Sequence, residues 1–150
     1  MNWDALGAIV EIIGAIAVLV TLFYLATQIR QSNATARFET TRELMAQFND
    51  LNRLYATDST VRQVLLKEGD LSREEQEQLY TYADMYCNAW ATAQLAFNQG
   101  LLDAALYQSV VKDVHVALNR WPSMQQEFER WFRNYPEMAD SEVFKAINQS

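Results

Sequence analysis

Residues 5–29, ALGAIVEIIGAIAVLVTLFYLATQI, are apolar almost throughout and hold a single charged side chain, Glu11. At about 1.5 Å of rise per residue, a helix of that length crosses a hydrocarbon core about 30 Å thick with some tilt. A helix that is apolar on every side has to be covered by protein or by lipid, so this stretch constrains the fold more than any other. The reading is a membrane span. Trp3 and Tyr24 suit the two interfacial belts, and Asp4 and Arg30 bracket the run. A cleaved signal peptide is one alternative, but it asks for a basic start and a shorter apolar core, and nothing basic precedes Leu6. A buried helix of a soluble protein is the other.

Charge sets the expected orientation. Arg30, Arg37 and Arg42 follow the span, whereas Asp4 and the terminal amine precede it. The positive-inside rule then places the N-terminus outside and the C-terminal domain in the cytoplasm. A single cysteine, Cys87, forms no internal disulfide and fits a reducing compartment.

The span has one distinctive face. Gly7, Glu11, Gly14, Val18, Thr21, Leu25 and Gln28 recur every three or four residues and so share a side. Small residues let helix backbones approach closely, and polar ones hydrogen-bond across the contact. Gly7, Glu11, Gly14, Thr21 and Gln28 are therefore the expected span interface. The blander alternative has Glu11, about 9 Å inside the start, snorkelling to the nearer headgroups.

Twelve Lys and Arg stand against nineteen Asp and Glu, for a net charge of −7. An acidic chain without a basic cluster is a poor partner for nucleic acid, whose phosphates ask for several cationic contacts. Gly and Pro are scarce, with four and two residues, and no alternating strand pattern competes with the helical one. The expected fold is all-α: an N-terminal transmembrane helix continuing into an irregular cytoplasmic helical bundle. Its expected parts are an anchor over 1–30, a membrane-proximal helix or linker over 31–57, and a helical domain over 58–150.

Within that domain the local signals are specific. The first helix continues past Arg30 to about Phe48, with either Phe38, Thr41, Met45 and Phe48 or Leu44, Phe48 and Leu51 as its apolar stripe; Ser32 and Asn33 mark an alternative hinge. Asp58 opens a short helix closed by Gly69, and Ser72 with Glu75 makes a capping box. That third helix carries Leu79, Ala83, Tyr86, Trp90, Ala93 and Phe97 on one face and ends near Gly100. Asp103 caps a helix with Leu106, Val110, Val114, Ala117 and Trp121. Pro122 breaks it and suits the first turn of the next, which aligns Met124, Phe128, Trp131 and Tyr135. After Pro136, Asp140 or Ser141 caps a last helix with Val143, Phe144 and Ile147.

Few residues point to chemistry. His115 is the one histidine, close to Asp113, and without a nucleophile nearby in sequence it reads as structural. One histidine excludes the paired Glu-x-x-His of di-iron bundles, and the ligands of a structural zinc site are missing. Glu74, Glu75 and Glu77 complement a helix dipole. No Walker, Rossmann or calcium-loop pattern occurs. The sequence thus assigns no catalytic, cofactor-binding or metal-binding residue, and an enzyme is not the expected class. Tyr82, Asp84, Tyr86, Asn88 and Trp90 form the least implausible pocket. Trp131, Phe132 and Tyr135, interleaved with Arg130 and Arg133, crowd one short segment and read as a partner surface.

The opening of the chain, with Gly7, Ala8, Glu11, Gly14, Ala15, Thr21, Leu22 and then Tyr24, Leu25, Ala26, Gln28, Ile29 and Arg30, resembles a group of uncharacterised bacterial single-pass membrane proteins. In that group a Gly/Ala-rich span with one glutamate runs into a Tyr-Leu-Ala-x-Gln-Ile-Arg stretch. The resemblance implies a retained span in a bacterial inner membrane and carries no activity or ligand with it. Three functional expectations stand together: a membrane-anchored scaffold or accessory subunit that associates with itself or a larger membrane complex, a homo-oligomeric channel or transport element, and a small-molecule sensor or enzyme in the helical domain.

Overall fold

The computed structural model describes residues 3–67, 69–138 and 140–148, and among them every regular element is helical. The elements are α1 (Trp3–Thr57), α2 (Ser59–Leu66), α3 (Arg73–Asn98), α4 (Ala104–Arg120), a 3-10 turn (Pro122–Met124), α5 (Gln125–Asn134), a second 3-10 turn (Pro136–Met138) and α6 (Glu142–Asn148). The all-α expectation holds. The chain divides into two compact units, residues 1–38 and residues 39–150.

In the first unit, α1 is exposed from Gly7 to Leu25 without interruption. Its most apolar window has a mean hydropathy of 2.5 and none of it is buried. Among the described residues no protein group covers this surface, which is how a helix built for lipid differs from the core helix of a soluble domain.

The second unit has a conventional dry core. α1 passes Ser32 and Asn33 as helix and extends beyond Phe48 to Thr57. Of the two possible stripes, packing selects Leu44 and Leu51, both almost wholly buried, with Phe48 half-buried between them; Phe38 is 69% exposed. Asp58 then ends one helix and begins the next, accepting from the backbone N–H groups of Thr60 (2.8 Å) and Val61 (3.2 Å). The capping box forms as its spacing predicts: Glu75 N–H donates to Ser72 Oγ at 3.3 Å, and Ser72 N–H donates to Glu75 Oε2 at 2.7 Å. α3 closes on Gly100 at φ 70°, where Gly100 N–H bonds Phe97 O and Leu101 N–H bonds Ala96 O, both at 2.9 Å. Only glycine takes that left-handed position without strain. Asp103 caps α4 through Ala105 N–H at 2.8 Å. Pro122 starts a 3-10 turn, and α5 proper begins three residues later at Gln125.

α3 is the centre of the bundle. Its face of Leu79, Ala83, Tyr86, Trp90 and Ala93 is buried against α2, α4, α5 and α6. α6 packs on α4, and its Val143, Phe144, Ala146 and Ile147 are all buried.

Candidate functional site

The expected span face is open along its length. A Cβ built on Gly7 or Gly14 meets nothing within 4 Å. Glu11 is exposed on the same helix. Two of its polar members are partly satisfied within α1: Thr21 Oγ1 donates to Ala17 O at 2.8 Å, and Gln28 Nε2 donates to the Tyr24 hydroxyl at 2.9 Å.

In the second unit the aromatic residues form a connected array. Tyr55 packs on Trp121 (5.3 Å between ring centroids), Trp121 on Tyr82 (6.0 Å) and Tyr86 (5.7 Å), Tyr86 on Trp90 (5.4 Å), and Trp90 on Phe128 (5.0 Å). Tilted and edge contacts of this kind add to the stabilisation that area burial provides. Burial pushes the Tyr82 hydroxyl up to about 12 and raises Tyr86 further. Burial likewise pushes the Cys87 thiol far above its ordinary range, so it is an inert core group. Trp90 Nε1 donates to Asp113 Oδ2 at 3.2 Å. Burial raises the Asp113 carboxyl, and that hydrogen bond partly opposes the rise.

The residues singled out as a pocket are separated by the fold. Tyr82, Tyr86 and Trp90 fill the core, while exposed Asn88 donates from Nδ2 to Asp84 Oδ2 at 3.0 Å on another side of α3. His115 is half-buried. The arginine-aromatic segment divides in the same way. Trp131 is buried and stacks on Phe144 at 5.2 Å, Phe132 is half-buried with its edge to Phe144 at 4.6 Å, and Tyr135 and Arg133 are exposed. The Arg130 guanidinium lies 4.0 Å above the Tyr80 ring and 3.3 Å from Glu127.

Two buried polar residues escaped the sequence reading, Gln94 and Glu127. Gln94 accepts a short hydrogen bond from the Tyr107 hydroxyl and donates to Asn98 at 3.0 Å. Glu127 lies three residues after Met124 and four before Trp131, which puts it within the apolar stripe of α5. That spacing was the available signal.

A chain with an unburied apolar helical stretch and a packed helical core is a membrane-associated, all-helical protein. The chain belongs to the family described as a domain of unknown function, DUF4760, whose profile matches residues 8–134. The match takes in the apolar helix and the bundle as far as the end of α5. No curated protein and no solved structure matches it.

Proposed function

We propose that this protein is a membrane-anchored helical scaffold or accessory subunit, held in a bacterial inner membrane with its N-terminus outside and residues 39–150 in the cytoplasm. The observation that carries the reading is the unburied apolar helix with open space over Gly7 and Gly14. Dispersion and interhelical hydrogen bonds drive association in lipid, and both reward close approach at small residues. Glu11 adds a reason for a partner, because a carboxyl in an apolar surrounding is stabilised by a neighbour's donor. Thr21 and Gln28 already bond within their own helix, which favours packing over a water-lined path.

Crosslinking in membranes and size-exclusion profiles in one detergent test the reading on wild type, Glu11→Leu and Gly14→Leu. Glu11→Leu inserts normally and weakens assembly by ~1 kcal/mol per contact, close to fivefold in the association constant. Gly14→Leu weakens it at least as much by wedging the backbones apart. Three identical profiles would mean that this face meets lipid alone.

A further inference from the structure

Between α1 and α3 of the second unit runs a groove made of two hollows, of about 350 and 270 Å³, and Met85 lines both. Its floor is apolar, formed by Leu51, Leu54, Tyr82 and Ala89. The Tyr82 hydroxyl donates to Leu51 O at 3.1 Å and ties the two helices together beneath it. The α3 side of the groove extends from Glu74 to Thr92, about 27 Å by helix rise. Leu95, 57% exposed and three residues after Thr92, continues the same face.

Two independent features suit this groove to a protein partner. The first is its apolar relief. Met85 stands 36% exposed between the hollows, and a flexible thioether there adapts to whatever side chains enter on either side. Two hollows along one helix face match successive apolar anchors of a docked helix, whereas a small molecule fills one and leaves the other. The second feature is charge. Glu74, Glu77 and Asp50 line the groove, and no Lys or Arg does. Asp50 pairs with Arg53 at 3.0 Å, but Glu74 and Glu77 are exposed and have no ion pair among the described residues. An apolar floor under a carboxylate rim is the complement of a helix with one apolar face and basic flanks.

We propose that the α1–α3 groove docks a basic amphipathic helix of another membrane protein, its apolar face over Met85 and its Lys or Arg side chains on Glu74 and Glu77. This rests on the reading of the protein as a scaffold with residues 39–150 in the cytoplasm, and it names the partner's chemistry. Segments just inside bacterial spans are rich in Lys and Arg, so the same membrane supplies such helices. Confinement to one membrane raises their effective concentration at the groove.

Fluorescence anisotropy tests this with the full chain in phosphatidylcholine nanodiscs and a labelled amphipathic Lys/Leu peptide about 18 residues long, matched to the groove by helix rise. Empty nanodiscs give the lipid background. A scrambled peptide of the same composition removes the apolar face, and a Glu/Leu peptide of the same pattern reverses the charge. The Lys/Leu peptide binds saturably with a Kd below roughly 100 μM, and both control peptides bind at least tenfold more weakly. Met85→Asp weakens binding about tenfold by charging the apolar floor. The double variant Glu74→Gln with Glu77→Gln weakens it several-fold and lessens its salt dependence. Glu129→Gln, at an exposed acid of α5 outside the groove, leaves it unchanged. Circular dichroism shows which variants fold, and if Met85→Asp does not, the glutamate pair decides. Glu11→Leu and Gly14→Leu bind the peptide like wild type, so a failure of the span interface and a failure of the groove are read separately. The proposal is overturned if the peptide binds no better than to empty nanodiscs, if either control peptide matches it, or if the folded groove variants bind like wild type. It is equally overturned if Met85→Asp dissociates a wild-type oligomer, since the groove's occupant is then a second copy of this chain.

Discussion

Replacing Trp90 by Phe separates a packing effect from an electrostatic one. The ring is fully buried between Tyr86 and Phe128, and a phenyl group keeps most of those contacts. What disappears is the Nε1 hydrogen bond to Asp113 at 3.2 Å. A hydrogen bond to a charged group contributes about 1.5–3 kcal/mol, and the lost ring volume adds roughly 1 kcal/mol. The first part depends on pH. Burial raises the folded-state pKa of Asp113, so native stability falls as pH rises from the unfolded value of 3.8 through the higher folded one. Removing the donor raises the folded pKa further, which deepens that fall and extends it to higher pH. Thermal unfolding of the full chain, followed by circular dichroism at 222 nm, should show W90F losing more at pH 8 than at pH 4. The extra loss is about 1.5–3 kcal/mol, roughly 6–12 °C for a domain of this size. In an Asp113→Asn background the cost of W90F should become small and independent of pH. An equal loss at both pH values would refute the electrostatic account.

Lys67 and the Ser72 backbone draw the Glu75 carboxyl down to about 2. A lowered folded pKa gives stability that is lost as pH falls from about 4.5 to about 2, and Lys67→Met should flatten that part of the acid-unfolding curve. Phe144→Ala removes a fully buried ring from between Trp131 and Phe132 and should cost about 3–5 kcal/mol, read as a fall in melting temperature with faster proteolysis at α6. Between residues 8 and 26 lie four isoleucines, three valines, three leucines and one phenylalanine, which together favour insertion by roughly 3–7 kcal/mol. Ile16→Arg with Leu19→Arg opposes this by roughly 5–7 kcal/mol, so alkaline extraction should release the double variant and leave wild type in the membrane.

What the sequence made legible was local. Asp58, Ser72 with Glu75, Asp103 and Gly100 act through bonds to neighbours within five residues, and each does in the structure what its spacing implies. Choices that depend on a distant partner were not legible. Two apolar stripes overlap on α1 beyond residue 38, and only packing in the bundle selects Leu44 and Leu51. Trp131 and Tyr135 share a helical face in sequence, but Phe144 of α6 covers the first and leaves the second exposed. The burial of Glu127 was not legible, because what buries it lies elsewhere in the chain, with Tyr80 of α3 fixing Arg130 beside it. Glu127 lines a cleft together with Leu65 and Lys67, about sixty positions earlier in the chain, a proximity no periodicity encodes.

The aromatic array has an optical consequence. Tyr55, Tyr82 and Tyr86 sit within 6 Å of Trp90 or Trp121 by ring centroid, far inside the range of resonance energy transfer. Excitation of these tyrosines in the native bundle therefore emerges as indole emission, with the tyrosine band quenched. Trp90, Trp121 and Trp131 are each at most 4% exposed, so that emission is shifted to the blue, and unfolding restores the tyrosine band as the indole band moves to the red. The bundle thus carries its own intrinsic fluorescent label.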